Sequence, residues 1–393
     1  MIARLPLETS SAPATEDGDL THVLLVVDQF SRTLGGGERI VLKLASLLPQ
    51  YGYRPSILTF SAAPESPALN SPPCPIYLLP LKRTYSITSL RAAFDLRRFL
   101  NRQHVQIVQT FFESSDIWAG FVTKTMSDAK LIWSRRDMGI LRASKHRLAY
   151  RLMANVPDAV FAVSEQVRRH CIEVDKINPS RVQTVYNGLD LADWNATHAP
   201  KSPNQVLITT VGNIRRVKGH DVFIKAAASL APQFPEASFS IAGDVLDPAY
   251  FAELEALVRD LNLTGRFRFT GGIANLHEHL ASADIFVLPS RSEGFSNAIV
   301  EAMAASLPVV ATDVGGNAEA VQEGLTGSLV PPDDPAALAA AIARLLTDPS
   351  QAKAMGEAGR HLASENFTAE AMMRRITATY QSLLSSKQAL PHR

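Results

Sequence analysis

The chain has 393 residues, 46% of them hydrophobic and 20% charged, with a formal net charge of +1. That length suits two domains, and the near-zero charge removes any global field that would argue for nucleic acid. Cys74 and Cys171 are the only cysteines; with no C-x-x-C spacing they fit a reducing compartment and no structural zinc.

No apolar run approaches the ~20 residues that a bilayer span needs. Residues 1–20 carry Ser, Thr, Pro and acids without a long apolar core, so they read as a disordered extension and not as a signal peptide. A cytoplasmic protein is expected. Order begins at Thr21–Val27, a short apolar strand, and passes through a loop containing Gly35, Gly36 and Gly37 into a helix over Arg39–Leu48. Consecutive glycines at a helix start let a ligand approach the main chain. The dinucleotide fingerprint is incomplete because position 40 is Ile, and a lone glycine run is more often a flexible turn.

Strands recur at Pro55–Phe60, Ile76–Pro80, Val105–Thr110, Lys130–Ser134, Ala159–Val163 and Val182–Tyr186, with helical stretches between several of them. Such alternation predicts a doubly wound, mostly parallel sheet. Between Lys82 and Arg151 there are fourteen Lys/Arg against five Asp/Glu, densest at Arg135, Arg136, Arg142, Lys145, Arg147 and Arg151. A patch of this kind suits an anionic acceptor or the cytoplasmic leaflet of a membrane; solvated helix faces are an equal reading. Arg135-Arg136-Asp137 follows a strand end, on the side of the sheet where the glycine loop lies.

Residues 191–204 are polar, with Pro200 and Pro203, and read as a linker. A second α/β series follows. Strands are expected at Val206–Gly212, Ala237–Ala242, Phe267–Thr270, Ile285–Leu288 and Pro308–Thr312. Helices are expected at His220–Leu230, Tyr250–Leu261, Asn275–Ala281, Asn297–Ala305 and Pro335–Leu346. Arg215, Arg216 and Lys218 stand between a strand and a helix, where cations are ready partners for phosphate. Gly243-Asp244 and Gly271-Gly272 close neighbouring strands. The ten histidines are scattered, with His277 and His279 on different faces of one helix, both expected at the surface; no metal site is expected.

The stretch Leu288–Glu301 organises this half: a buried strand, a tight loop containing Gly294, then a helix capped by Ser296 or Asn297. Loops at the carboxyl ends of strands are where open α/β sheets bind ligands. Glu293 in the loop and Glu301 one turn into the helix can face one crevice, beside unpaired helix N–H groups that seat phosphate. Carboxylates for hydroxyls beside a phosphate seat describe a nucleotide-sugar site. The bare pair fits a loop glutamate and a solvated helix glutamate equally well.

Four segments taken in order decide the matter. G-G-G-E at 35–38, R-V-K-G at 216–219, E-G-F-S-N-A-I-V-E at 293–301 and V-G-G-N-A-E at 314–319 resemble the retaining glycosyltransferases of family 4. The resemblance implies the α/β GT-B fold, with two Rossmann-like, doubly wound domains facing across a cleft. An acceptor-binding domain at 21–190 precedes the linker, a donor-binding domain follows at 205–366, and a helix in 367–393 crosses back to the first. By the same resemblance Glu301 binds ribose hydroxyls and Glu293 the donor-sugar hydroxyls. Backbone N–H groups around Gly294, Phe295, Ser296 and Asn297 lie by the sugar and diphosphate. Lys218 neutralises the diphosphate, with Gly36 and Gly37 approaching from the other domain.

Two departures from the family pattern stand out. Asn213 occupies a position where the family often has arginine, leaving Arg215 or Arg216 to supply that charge. A histidine expected after a first-domain strand is replaced by Arg135-Arg136-Asp137, so Arg136 or Asp137 is the substitute. The implied activity is hexosyl transfer from a UDP- or GDP-sugar to a glycan or lipid-linked glycan, as in surface polysaccharide or lipopolysaccharide synthesis. No cofactor is implied, and peripheral membrane contact through the basic first domain is expected. A non-catalytic nucleotide-sugar-binding subunit, or an epimerase or phosphorylase of the same fold, is the alternative.

Overall fold

The structure, a computed structural model, describes residues 2–4, 20–81, 86–139, 144–194, 205–273 and 275–388. Most of the expected N-terminal extension (5–19), ten residues of the expected linker (195–204) and the last five residues lie outside it. The chain divides into two compact units, unit 1 being Met1–Tyr186 with Met372–Arg393 and unit 2 being Asn187–Ala371.

Unit 1 carries strands β1 (Ala3–Arg4), β2 (Thr21–Phe30), β3 (Tyr53–Ala62), β4 (Ile76–Leu78), β5 (Val105–Thr110), β6 (Lys130–Arg135), β7 (Ala159–Ala162) and β8 (Val182–Thr184). They alternate with helices α1 (Gly36–Leu47), α2 (Ile87–Arg102), α3 (Gly120–Met126), α4 (Ser144–Leu152) and α5 (Glu165–Glu173). The sheet order is β1-β4-β3-β2-β5-β6-β7-β8. All neighbours are parallel except β1, which runs antiparallel to β4 with Ala3 opposite Leu78. The expectation of disorder throughout residues 1–20 therefore fails at Ala3–Arg4, whose backbone completes a sheet edge.

Unit 2 carries strands β9 (Val206–Val211), β10 (Ala237–Ala242), β11 (Phe267–Gly271), β12 (Ile285–Leu288), β13 (Val309–Thr312) and β14 (Gly327–Val330). Its helices are α6 (His220–Leu230), α7 (Pro248–Asp260), α8 (Leu276–Ala281), α9 (Asn297–Ala304), α10 (Asn317–Ala320), α11 (Pro335–Thr347) and α12 (Pro349–Asn366). The sheet is fully parallel in the order β11-β10-β9-β12-β13-β14. A last helix, α13 (Ala369–Gln388), runs from unit 2 into unit 1 at Met372. Three helices share one start signal. Asp247, Asp334 and Asp348 each cap by accepting from a backbone N–H three residues on, with proline at the first helical position.

Parallel strands covered on both faces must be apolar throughout, and residues 22–27 of β2 are all buried. Side chains alternate between faces. Val23, Leu25 and Val27 join α1 (Val41, Leu44) and α13 (Met373, Ile376, Tyr380) in one cluster. The opposite face takes α2, α3 and α4: Tyr77 meets Phe99 at 4.7 Å, Trp133 meets Tyr150 at 5.3 Å, and a Cβ on Gly120 would lie 3.0 Å from Trp133 Nε1. In unit 2, Phe223, Phe239 and Phe267 anchor the core; full burial of each side chain contributes about 2–3 kcal/mol.

Both sheets reverse their strand order beside their first parallel strand, between β2 and β5 in unit 1 and between β9 and β12 in unit 2. The crevice at such a switch point, past the carboxyl ends of the strands, is where ligands bind.

Candidate functional site

In unit 2 the two loops at the switch point are those after β9 and β12. The first contains one tight turn, Arg216–Lys218, and ends at Gly219. Gly219 has φ +63°, and a Cβ there would stand 2.0 Å from the Pro289 carbonyl oxygen, so this position excludes any side chain. Lys218 folds back over Gly212, and its Nζ donates to Glu293 Oε1 at 2.7 Å. Ser290, fully buried, donates its Oγ to the same oxygen at 2.7 Å. The Glu293 carboxylate is 11% exposed and the Lys218 side chain 27%. The structure thus brings together Lys218 and Glu293, 75 residues apart in sequence.

Arg291 locks the two loops. Its backbone N–H donates to Val217 O at 2.8 Å and its guanidinium to Arg216 O at 2.6 Å. The same side chain forks onto Asp221 at 2.9 and 3.0 Å and reaches Asp333 at 2.7 Å. Burial alone would raise the Asp221 carboxyl, but hydrogen bonds from Arg291 and Tyr250, with the Arg291 charge, hold it below the ordinary carboxylate range. Behind the loop, Gly315 has φ +55° and lies so close that a Cβ would stand 1.7 Å from the Glu293 carbonyl oxygen. Gly316 N donates to Gly294 O at 3.1 Å.

The helix after this loop, α9, is capped by Ser296 without a side-chain hydrogen bond to its first turn. Phe295 is buried against Phe367 at 5.2 Å, and Asn297 accepts from Asn187 Nδ2 at 2.5 Å. Glu301 sits one turn into α9, half-buried. Arg215 is exposed, while Arg216 turns to Glu253 and stacks its guanidinium 4.9 Å over Tyr250. Asn213 accepts from Asp244 N at 3.2 Å, bracing the next loop. His220, 1% exposed beside Gly219, is pushed down to about 4 by burial and is neutral at pH 7.

In unit 1 the helix starts at Gly36, so Gly36 and Gly37 are its first residues and not a free loop. Glu38 folds back to accept from Gly35 N at 2.6 Å and Ser31 N at 2.7 Å, holding the turn. A Cβ at Gly37 would lie 2.7 Å from Phe112 Cζ and 3.8 Å from Arg136 Cδ, which places Arg136 beside the glycines. Asp137 is exposed and accepts from Gly139 N at 2.7 Å. Arg135 departs from the basic patch in which it was expected: it is 3% exposed, pairs with Asp175 at 2.9 Å and lies 4.1 Å over the Tyr150 ring. Next to it Asp116 accepts from Thr110 at 2.5 Å and from Tyr150 at 2.9 Å. Burial lifts its carboxyl to about 7 against the pull of Arg135 and these hydrogen bonds.

Sequence reasoning missed Ser290, Arg291, Glu38 and the Glu113–His146 pair at 2.7 Å. Position inside the Leu288–Glu301 stretch was the available signal for the first two. His277 and His279 are also not simple surface residues, since His277 packs on Trp194 at 4.2 Å and His279 Nε2 meets Thr209 Oγ1 at 2.8 Å. Among the described residues no cluster of His, Cys, Asp and Glu forms a metal-ligand set.

Two family models match, Glycosyltransferase Family 4 over residues 34–193 and Glycosyl transferases group 1 over residues 195–362. The chain is 34% identical over 214 residues to the lipopolysaccharide core biosynthesis mannosyltransferase LpcC of Rhizobium leguminosarum bv. viciae, covering 52% of this chain and 61% of that one. It is 37% identical over 159 residues to the GDP-mannose-dependent alpha-(1-6)-phosphatidylinositol monomannoside mannosyltransferase of Mycolicibacterium smegmatis, covering 38% and 41%. The chain thus spans less than two thirds of the length of either relative. Among solved structures, Anabaena HepE in complex with UDP-glucose superposes with a TM-score of 0.79 at 21% identity, over 92% of this chain and 99% of that one; at that identity the likeness concerns the fold. The two matched regions together take in both units, and this chain belongs to the family 4, group 1 glycosyltransferases of the GT-B fold.

Proposed function

We propose that this chain transfers a hexosyl group from a UDP- or GDP-sugar to a hydroxyl of a glycan or lipid-linked glycan in the cytoplasm, with retention of configuration. The observation that carries the reading is the Lys218–Glu293 pair, held at 2.7 Å past the carboxyl ends of β9 and β12 and followed by the start of α9. The names of the relatives, a lipopolysaccharide core mannosyltransferase and a GDP-mannose-dependent enzyme, support the donor class and a surface-glycan acceptor.

In this mechanism the anomeric C–O bond to the diphosphate breaks while a C–O bond to the acceptor forms on the same face. The acceptor proton passes to the departing phosphate oxygen. Negative charge grows on the diphosphate, and Lys218 with the first N–H groups of α9 stabilises it where it develops. Glu293 binds donor-sugar hydroxyls and keeps Lys218 in position, while Glu301 binds the ribose. Gly36 and Gly37 leave main-chain N–H groups open to anionic oxygens, and Arg136 beside them is the cation of the acceptor side. Asp137 is exposed enough to meet an incoming hydroxyl.

The test is a panel of UDP- and GDP-sugars, with binding and slow hydrolysis followed for wild type, Lys218→Ala and Glu301→Ala. One donor should bind, and each substitution should weaken it by about tenfold or more, the loss of a charge-assisted contact. If no nucleotide sugar binds, the reading fails, the nucleotide-sugar-binding subunit fails with it, and the fold is a scaffold.

A further inference from the structure

Transfer needs the first N–H groups of α9 to be open to the diphosphate and yet fixed in place. A serine at the N-cap ordinarily accepts from a backbone N–H two or three residues on. Ser296, although buried, makes no such bond. The start of the helix is held from its flanks instead. On one side of Ser296, Phe295 packs on Phe367 at 5.2 Å. On the other, Asn297 Oδ1 accepts at 2.5 Å from Nδ2 of Asn187, a buried side chain 110 residues away. Asn187 and Phe367 belong to two segments of unit 2 that run side by side near its two ends. Leu189 N donates to Phe367 O at 2.8 Å and Ala369 N to Leu189 O at 2.9 Å, making a parallel bridge between Leu189 and Thr368. Gly188 permits the approach, since a Cβ there would stand 2.5 Å from Ala369 Cα and 2.7 Å from Thr368 O. Residues 187–189 and 367–369 therefore form one brace, and it grips α9 at the two residues flanking the cap.

We propose that Asn187 is a positioning residue for the diphosphate seat: acting through Asn297, it fixes the first turn of α9 from outside the helix. A side-chain cap would occupy an N–H group that the developing charge needs. A tether to the side chain of the first helical residue steadies the same turn and leaves those groups to the phosphate oxygens. An amide is suited to the task, because it forms a directed bond at a buried site without adding a negative charge that would repel the ligand. For its ligand the inference rests on the proposed transfer reaction; it goes beyond that reading by naming a residue that lies outside the loops meeting the donor.

The whole chain is titrated with UDP, UMP, GDP and GMP as wild type, Asn187→Ala, Asn297→Ala and the double variant. Hydrogen exchange is followed in each at amides 300–302, the first to be bonded within α9. Each single substitution should weaken the nucleoside diphosphate that binds by about fivefold or more, the loss of one buried hydrogen bond, and the matching monophosphate by less than about twofold. Exchange at 300–302 should quicken by about fivefold or more in each. The double variant should lose no more than either single one, because the two side chains act as one tether. Additive losses overturn the proposal, as do equal losses for monophosphate and diphosphate, or unchanged exchange in a folded Asn187→Ala protein. Melting curves report folding; if Asn187→Ala does not fold, Asn297→Ala carries the comparison from the half-buried side of the pair. If wild type binds neither UDP nor GDP, the transfer reading fails and exchange alone decides the tether, quickened in Asn187→Ala for it and unchanged against it.

Discussion

Gly315→Ala tests whether the loop carrying Glu293 is fixed from behind. Alanine at φ +55° costs about 1–2 kcal/mol, because a Cβ in the left-handed region crowds its own carbonyl. The second contribution is specific to this site. The new Cβ would fall 1.7 Å from the Glu293 carbonyl oxygen, where ordinary contact begins at 3.4 Å, so the two segments must separate by about 1.7 Å; overpacking of this sort costs about 1–3 kcal/mol. The sum, about 2–5 kcal/mol, lowers the melting temperature of a unit this size by roughly 5–15 °C. Gly324→Ala is the control, with φ +75° and nothing within 4 Å of the built Cβ, so only the backbone cost of about 1–2 kcal/mol applies. The assay is thermal unfolding of both variants together with affinity for the donor identified in the nucleotide-sugar panel. If the loop yields before the fold does, Gly315→Ala melts close to Gly324→Ala but loses the Lys218–Glu293 geometry and about tenfold in donor affinity. A Gly315→Ala protein that matches Gly324→Ala in both melting and affinity refutes the claim that Gly315 sets the position of Glu293.

Arg291→Ala removes the fork onto Asp221 and the bond to Arg216 O; it should destabilise unit 2 by about 2–3 kcal/mol and weaken donor binding, as seen by denaturation and titration. Asp175→Asn leaves Arg135 charged and buried, and a loss of about 3–5 kcal/mol is expected in urea unfolding; a loss below about 1 kcal/mol would show that the pair is solvated. The pH dependence separates the units. His220 has a depressed pKa in the folded state, so the unfolded chain takes up the proton first, and its contribution is present above pH 6.5 and lost as pH falls towards 4. His220→Phe should flatten unfolding free energy against pH in that window, by a total on the order of 3 kcal/mol. Asp116 acts in the opposite sense. Its raised pKa makes the folded state hold the proton, so unit 1 loses stability as pH rises from 3.8 to about 7, which denaturation followed by tryptophan fluorescence will show as a slope of reversed sign.

The elements most legible in the sequence were those whose signal is local. β9, β10 and β12 are short apolar runs between breakers, and the Leu288–Glu301 stretch reads as strand, loop and helix because each part has its own composition. Helix α12 was missed, and the reason is instructive. Gly356 looks like a breaker, yet a Cβ there would stand 2.0 Å from the Ser306 carbonyl oxygen, so the glycine is present to let the helix approach closely. β14 hides in the same way behind Gly327, whose Cβ would meet the Val309 carbonyl oxygen at 2.2 Å. Arg135 and Arg136 were indistinguishable in sequence; at a strand end successive side chains point to opposite faces, sending one inward to Asp175 and the other towards Gly37. The bracing by Arg291 was unreadable because Asp221 is 70 residues away, and no local pattern encodes a partner at that distance.

The last helix sets an order of events during synthesis. Tyr380, fully buried beside Tyr53 at 5.3 Å and hydrogen-bonded to Gln109, belongs to the core of unit 1. Unit 2 is therefore an insertion in the chain of unit 1: residues 187–371 must leave the ribosome before the helix that seals the first sheet exists. At about 5–20 residues per second, the apolar side chains that α13 covers stay open for tens of seconds in each nascent molecule. Unit 2 has all its strands by then and can fold without waiting. The first unit to be made is the last to close, and a chain cut after Ala371, where unit 2 ends, should keep a folded unit 2 and a first unit that binds chaperones.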